Sequence, residues 1–233
     1  MTVDSGGQGW HGRSLSGTGF DGDSGETDPR LLAALRSGDE QAAVRAIAAA
    51  RLLVPIVAAP GEGDGTGTDM AAVTLRAPDG QQALPVFTGV AALAAWDAAA
   101  RPTPVTAARA AQAAVSERCD VMVVDVADEH PFVLRPSMVW ALAQDRQWLP
   151  AYTDPVVQQA VSLAARDDDD VRAAVCESGD DLEPGLLRIV LSVPPGRSAE
   201  QLQQLATRIG ERLATDGEVR ARIDGITFSI QPA

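Results

Sequence analysis

The sequence predicts an α+β protein made of two small mixed α/β units. Short apolar runs typical of strands alternate with longer segments whose apolar residues follow helical spacing, such as 51–59 and 106–117. Turn signals rich in Pro and Gly separate these segments. Pro150 and the Asp154-Pro155 pair mark a boundary, and beyond it the elements follow the order α-β-β-α-β.

The composition sets limits on both fold and function. The chain has 233 residues and 45% apolar content, which is enough for two small cores, and its 4% aromatic content leaves Ala, Val and Leu to build them. The net charge is -13 and no segment is basic, which excludes a broad nucleic-acid surface because phosphate binding needs clustered cations. No apolar run is long enough for a membrane span, and no secretory signal is visible, so we expect a cytoplasmic protein without a membrane partner.

Residues 1–29 are predicted to form a disordered tail. They are rich in Gly, Ser and Asp and show no apolar periodicity. Asp21, Asp23 and Asp28 resemble part of a calcium loop, but Gly25 and Glu26 stand where a further oxygen ligand and a glycine are required. The tail therefore carries no predicted metal site.

The first unit, residues 30–150, is predicted to combine helices with a hairpin and buried strands. Asp28 and Pro29 mark a helix start, because Asp caps helices and Pro suits their first turn. Arg101–Thr106 is expected to break a helix, because it contains two prolines. The predicted helices cover 28–38, 39–50, 89–100, 106–117 and 136–145, and the predicted strands cover 51–59, 70–76, 81–87, 119–127 and 132–135.

The second unit, residues 151–233, is predicted to form a three-stranded antiparallel or mixed sheet with two helices. Its first helix begins at Asp154-Pro155 and is followed by strands at 171–178 and 185–193. Ser198 and Gln201 fit a capping box, and the apolar residues Leu202, Leu205, Ile209 and Leu213 then share one helix face. A strand at 225–230 completes the unit.

The stretch Leu84–Trp96, an apolar run followed by Thr88-Gly89 and a helical segment, allows two interpretations. A strand that enters a helix through such a turn binds phosphate in some proteins, and an anion would then sit at the amides of Gly89 and Val90. The single glycine and the lack of a nearby cation favour a structural turn. We therefore expect Thr88 to cap the helix through its side-chain oxygen, and Phe87 and Trp96 to be mostly buried.

No catalytic, cofactor or metal site emerges from the polar residues. The glycines of 61–67 repeat at every second position in a strand-to-strand loop, unlike a nucleotide-binding turn. The acidic run 167–170 is expected to be a solvated surface. A Cys119–His130 nucleophile pair lacks any oxyanion loop, and both cysteines are expected in the core. Asp125 and Asp128 flank the turn after a buried strand, which is a position where catalytic carboxylates occur as well as ordinary turn residues.

The aromatic residues supply the remaining candidates for binding. Trp96 and Trp140 lie on apolar helix faces and are expected in the core. Trp148 and Tyr152 bracket Pro150 at the junction of the two units. They either pack the units together or face a partner, and they are the possible partner-binding residues of this sequence.

The order and spacing of three segments identify a family resemblance. "LPVFTGVAALAAW", "PVTAARAAQAA" and "CDVMVVDVADEHPFVLRPSMVWALAQDRQWLP" resemble the N-terminal domain of the SseB family, named for enhanced serine sensitivity, over about residues 30–150. Residues 155–231 are similar to the domain that follows in longer members. The family usually has Ser and Glu where this chain has Gly89 and Ala91, so the cap residue is kept and its reciprocal Glu is lost. The resemblance implies an α+β fold and a binding or regulatory role in a bacterial protein, and it transfers no catalytic residue.

Three functional hypotheses follow. The first is a non-enzymatic SseB-type protein that binds a protein or a small ligand and needs no cofactor. The second is an enzyme with a carboxylate-based site near Asp125 and Asp128. The third is a self-associating module that uses its apolar helices. A deep polar pocket with paired acids would favour the enzyme, and a flat apolar patch would favour a partner-binding surface.

Overall fold

The computed structural model describes residue 20 and residues 22–60, 68–77 and 80–233, and it has the predicted α+β character. Its helices are α1 (Pro29–Leu35), α2 (Glu40–Ala49), α3 (Val90–Trp96), α4 (Ala107–Ser116), α5 (Pro136–Ala143), α6 (Pro155–Arg166), α7 (Ala199–Thr215) and α8 (Gly217–Arg220). Its strands are β1 (Arg51–Pro60), β2 (Thr68–Ala72), β3 (Leu75–Arg76), β4 (Gln82–Val86), β5 (Arg101–Thr106), β6 (Val121–Val124), β7 (Phe132–Leu134), β8 (Ala173–Ser178), β9 (Leu186–Val193) and β10 (Gly225–Pro232).

Two small sheets share the first part of the chain. One has the order β2-β1-β5 and is antiparallel, and the other has the order β3-β4-β6-β7 with a parallel β4–β6 pair at its centre. A single bridge between Leu53 and Phe87 joins them through backbone hydrogen bonds of 2.8 and 2.9 Å. Helices α1, α2, α4 and α5 contribute to a core that includes Ile47, Leu52, Leu84, Met122 and Met138.

Strand β5 corrects the expectation that Arg101–Thr106 merely breaks a helix. It pairs antiparallel with β1, with Pro102 opposite Pro55 and Pro104 opposite Leu53. The sheet tolerates these prolines because β5 is an edge strand, where one row of backbone amides needs no ladder partner.

A second core lies beyond residue 150. The β10-β9-β8 sheet is mixed, since β10 runs parallel and β8 antiparallel to β9. Helices α6 and α7 cover one face and bury Val157, Val161, Leu205, Ile209 and Leu213 against the strands. The capping box of α7 is present, with Ser198 Oγ accepting from the Gln201 amide and Gln201 Oε1 accepting from the Ser198 amide. The α-β-β-α-β order is thus observed, with the short α8 inserted before β10.

The aromatic side chains follow the expectations only in part. Phe87 is fully buried, and the half-buried Trp96 packs on it with ring centroids 5.4 Å apart. Trp140 is not a core residue, because 43% of its surface is exposed. Its helix α5 is short and apolar all round, so apolarity did not distinguish its inner face from its outer face.

The α7 core provides a direct test of this packing. We expect Leu205→Ala to lower the free energy of unfolding by about 2–5 kcal/mol, because Leu205 is buried and its truncation leaves a cavity. The matched control is Leu163→Ala on α6, where the leucine is 53% exposed and the expected change is within about 0.5 kcal/mol. Urea denaturation measures both, and equal effects would contradict the core described here.

Candidate functional site: a cleft between the two parts of the chain

A cavity of about 450 Å³ lies where the two parts of the chain meet. Its walls come from the start of α2, the start of α5, the 148–152 segment, the β8–β9 loop and the residues just before β10. The lining residues include Asp39, Glu40, Arg135, Ser137, Trp148, Tyr152, Asp180, Gly185, Arg222 and Asp224. The volume falls within the range of small-molecule pockets, which is roughly 300–1,000 Å³.

The Arg135 guanidinium connects the two sides of this cleft. Its two terminal nitrogens donate to both oxygens of Glu40, at 2.5 and 2.8 Å, and its Nε donates to Asp224 at 3.0 Å. Burial alone would lower the pKa of Arg135, but the hydrogen bonds to Glu40 and Asp224 outweigh it and raise the pKa above its ordinary value. Arg135 is therefore a permanent cation held by two carboxylates.

The start of α5 extends this network. Asp224 accepts hydrogen bonds from the Ser137 amide at 2.8 Å and from the Ser137 hydroxyl at 2.9 Å. The indole Nε1 of Trp148 donates to the same hydroxyl at 2.9 Å, and the Arg135 guanidinium lies 5.9 Å from the Trp148 ring. A carboxylate at a helix N-terminus is favoured by the helix dipole. Asp224, from the second unit, thus occupies the N-terminus of a helix in the first.

These contacts locate the two predicted partner-binding residues. Trp148 is 6% exposed, packs in the first core and also lines the cleft. Tyr152 is half-buried, packs against the second core and also lines the cleft. The structure therefore brings both residues to one cavity, although Trp148 offers little surface to a large partner in this conformation. Their role in binding stays a prediction.

Gly185 shows how closely the β8–β9 loop approaches Arg135. Its φ of +82° lies in the left-handed region, and a Cβ added there would stand 2.3 Å from Arg135 Nε. Asp180 shapes the same loop by accepting from the Gly185 amide and the Ser178 hydroxyl, at 2.8 and 2.6 Å. The Ser178 hydrogen bond is the largest cause of the lowered pKa of Asp180. Asp180 is therefore an ionised carboxylate at the wall of the cleft.

Arg222 forms a second arginine centre beside the cleft. Its terminal nitrogens donate to Asp154 and Glu218, each at 2.7 Å, and Glu218 also accepts from Arg146 at 2.7 Å. The Nε of Arg222 is buried and has no hydrogen-bond partner among the described residues. A buried donor of this kind is uncommon in proteins and is typically satisfied by water or a bound molecule.

Sequence reasoning missed the centre of this site. Glu40 and Asp224 lie 95 and 89 residues from Arg135 in the chain, so no local motif connects the three. The only available signal was the isolated Arg135 before the Pro136 helix start, next to the junction that contains Trp148 and Tyr152. Charge pairing across such distances becomes visible only when the two units are placed together.

Asp125 and Asp128 line a different cavity, of about 390 Å³, together with His130 and α1. Asp125 has a φ of +51°, and its two carboxylate oxygens accept from the Thr88 amide and hydroxyl at 2.9 and 2.7 Å. Burial is the main cause of its raised pKa, which the Thr88 hydrogen bonds partly offset and the nearby Asp128 increases. Asp128 pairs weakly with Arg36 at 3.9 Å on the surface.

The role of Thr88 corrects our expectation of a helix cap. The N-cap of α3 is Gly89, which has no side chain, and Thr88 instead directs its hydroxyl to Asp125. Because Thr88 donates its one hydroxyl proton to Asp125, it must accept from the Thr27 hydroxyl, 3.0 Å away. The amide of Val90, one of the two at which an anion was considered, donates instead to the Gly25 carbonyl at 2.8 Å.

Residues 22–28 correct part of the prediction of a disordered tail. Arg51 binds the Asp23 carboxylate with two nitrogens and donates to the carbonyls of Glu26 and Thr88, each at 2.9 Å. A Cβ at Gly89 would stand 2.5 Å from Thr27 Oγ1. This segment is therefore packed against the first core, while the rest of the predicted tail, at residues 1–19 and 21, lies outside the described residues.

The other sequence candidates are not assembled into sites. Cys119 and His130 lie beyond opposite ends of β6, which are separated by about 10 Å at the usual strand rise. The acidic run 167–170 is not merely solvated, because Asp168 binds Arg208 and Arg212 at 2.7 Å and Asp170 binds Arg197. Within the described part of the chain, no group of three or more His, Cys, Asp or Glu could hold a metal ion. The 61–67 loop and His11 lie outside that part.

The fold and the cleft define a class of α+β protein with two cores and a charged cavity between them. Comparison with known proteins then gives a family: residues 29–141 match the model described as the SseB protein N-terminal domain, so the chain belongs to the SseB family through this domain. Neither a curated protein nor a solved structure gives a significant match. None of the described helices is long and apolar enough to cross a membrane.

The approach of Gly185 to Arg135 is testable with a matched pair of glycines. Gly185→Ala and Gly196→Ala both place a side chain at positive φ, which costs roughly 1–2 kcal/mol, but only the first adds a clash, since nothing lies within 4 Å of a Cβ at Gly196. We expect Gly185→Ala to destabilise the protein more in urea unfolding and to shift the Trp148 indole NMR signal. Equal destabilisation with an unmoved indole would contradict the contact.

The environment of Asp125 predicts a pH dependence. Because its folded-state pKa is raised above the ordinary 3.8, the native state holds the proton more tightly than the unfolded state does. The stability of the wild type relative to Asp125→Asn should therefore fall as pH rises above about 3.8 and level off beyond the raised folded-state pKa.

The control for this prediction is Asp168→Asn. Burial alone would raise the pKa of Asp168, but Arg208 and Arg212 outweigh it and lower the pKa. The stability that Asp168 contributes should thus be present above its unfolded-state pKa and disappear as pH falls through its lowered folded-state pKa. Urea unfolding between acid and neutral pH measures the free energy of unfolding of each variant. If this free energy depends on pH in the same way for the wild type and Asp125→Asn, the prediction for Asp125 is wrong.

Proposed function

We propose that this SseB-family protein is a non-enzymatic binding module whose cleft between the two units takes a small ligand. The observation that carries the proposal is a cavity of about 450 Å³ that is lined by aromatic, apolar and ionised side chains from both units. Pockets with this mixture and volume are typical of small-molecule sites. Trp148 and Tyr152, the residues singled out from the sequence, both belong to its wall.

Two further features support a binding role at this place. The buried Arg222 Nε beside the cleft has no partner among the described residues, and a ligand oxygen is one group that would satisfy it. The Arg135 network is fully engaged with Glu40, Asp224 and the Trp148 ring, so it supports the wall rather than offering a free reactive group. A wall whose charged groups are already engaged with one another suits recognition better than chemistry.

The other parts of the proposal come from the sequence. The acidic composition favours the absence of a nucleic-acid partner, the lack of an apolar segment favours a cytoplasmic protein, and the family resemblance favours a bacterial one. We interpret residues 151–233 as an SseB C-terminal-like domain, which the α-β-β-α-β order supports. Self-association or binding of a protein partner would then regulate ligand binding or respond to it.

The test is NMR of protein labelled with ¹⁵N-tryptophan, with the Trp148 signal assigned through Trp148→Phe. Mixtures of small polar metabolites are added to the full chain. We expect at least one mixture to shift the Trp148 indole signal and to leave unmoved that of Trp96, which packs in a separate small cluster with Phe87 and Leu93. If no mixture moves Trp148, or if Trp96 moves equally, the cleft is not a ligand site.

A second candidate function is an enzyme with a carboxylate-based site at Asp125 and Asp128. It is favoured by one observation: Asp125 has a raised pKa and lines a cavity with Asp128 and His130. Against it, Thr88 already occupies both carboxylate oxygens of Asp125. A hydrolase activity screen would support this candidate only if Asp125→Asn abolished a measured activity and kept the fold.

A further inference from the structure

The two units have separate apolar cores that come together at one short stretch of chain. Among the described residues, the buried cluster of the first unit ends at Trp148 and that of the second unit begins at Ala151. In the same part of the chain, no strand pairing and no backbone–backbone hydrogen bond joins the units. Only Leu149 and Pro150 lie between the two anchored positions. Units without a large apolar interface are expected to move relative to one another.

The hydrogen bonds that cross between the units converge on Asp224. This carboxylate accepts from Arg135 Nε at 3.0 Å, from the Ser137 amide at 2.8 Å and from the Ser137 hydroxyl at 2.9 Å. The side chains of Asp224 and Arg135 are 11% and 14% exposed. A further ion pair between the units, Arg146 with Glu218, is about half exposed on both sides and therefore contributes little. Asp224 thus supplies the main polar attraction between the units.

Each side of this contact can be separated without leaving a buried charge unpaired. Arg135 is also bound by both oxygens of Glu40 within the first unit. Arg222, the other arginine of the cleft, pairs with two carboxylates of the second unit. If the units part, Arg135 stays paired with Glu40 and Asp224 becomes hydrated. The separation therefore avoids the uncompensated charge that makes breaking an ordinary buried ion pair so costly.

We propose that Asp224 is a latch that holds the cleft closed, and that the second unit rotates about Leu149 and Pro150 when this latch opens. Pro150 fixes its own φ, so the movement uses the other backbone angles of these two residues. Opening carries Asp180, Gly185 and Asp224 away from the wall that the first unit supplies, and thus exposes the cavity to solvent. The latch acts on the shape of the chain without any ligand, so this inference does not depend on the proposed function.

The closed state has one well-defined geometry. Gly185 approaches Arg135 so closely that a Cβ added to the glycine would stand 2.3 Å from Arg135 Nε. This contact limits how far the second unit can approach the first, while the hydrogen bonds of Asp224 limit how far it can withdraw. A molecule that touches both walls of the cavity would favour the closed state, because only the closed cleft offers both walls at once.

The test measures whether the two units align as one body in solution. Residual dipolar couplings of the ¹⁵N-labelled full chain are recorded in a weakly aligning medium, and the described residues of each unit are fitted separately. We expect the wild type to give the same alignment for both units. Asp224→Ala should lose this common alignment, because the latch is gone, and should increase the radius of gyration in small-angle X-ray scattering.

Two matched controls remove a paired carboxylate other than that of Asp224. Asp181→Ala breaks the ion pair with Arg188 inside the second unit, and Glu218→Ala breaks the exposed pair with Arg146 between the units. We expect both controls to keep the common alignment and the radius of gyration of the wild type. The second control separates the effect of the nearly buried latch from that of any charge pair that bridges the units.

Asp224→Asn is the second variant, and it should also lose the common alignment. Its amide keeps the size of the side chain and an oxygen for the Ser137 amide, but it lacks the charge that attracts Arg135. A common alignment in a folded Asp224 variant would overturn the inference, as would separate alignments in the wild type or in either control. Failure of both Asp224 variants to fold would also overturn it, because Asp224 would then stabilise the second unit itself. None of these outcomes decides whether a metabolite moves the Trp148 indole signal, so the proposed function is tested independently.

Discussion

The arrangement of the two units depends on the two salt bridges that Arg135 forms with Glu40 and Asp224. Glu40 from α2 and Asp224 from the segment before β10 both bind the Arg135 guanidinium, and the side chain of Arg135 is only 14% exposed. Removing one partner of such a pair leaves a charge that is poorly compensated in a partly buried place. Arg135 therefore restrains α2, α5 and the second unit in one geometry. The close approach of Gly185 to the same side chain adds a steric restraint to the electrostatic one.

The cleft is a property of the whole chain rather than of the family domain. Glu40, Arg135 and Ser137 lie within the matched range 29–141, whereas Gly185, Arg222 and Asp224 lie outside it. A domain of this family without the second unit would lack half of the cavity wall and one carboxylate partner of Arg135. The likeness to the family thus explains the fold of the first unit, and the cavity arises from its contact with the second.

A second polar network serves the interior of the first unit. Thr88 ties Asp125 to Thr27, and Arg51 ties Asp23 to the Thr88 carbonyl, so the segment before α1 is attached to the strand ends beneath it. These hydrogen bonds explain why the Thr88-Gly89 turn, whose sequence resembled a phosphate site, has a structural role.

The sequence by itself determined most of the elements and the family. Apolar periodicity, the Asp28-Pro29 start and the Ser198 capping box are local patterns, and local backbone chemistry is enough to produce them. Strand β5 and the exposure of Trp140 were missed because they depend on which neighbour each element meets. Only the tertiary structure decided the candidate site, since Glu40, Arg135 and Asp224 are distant in the chain and their attraction acts through space once both cores have formed.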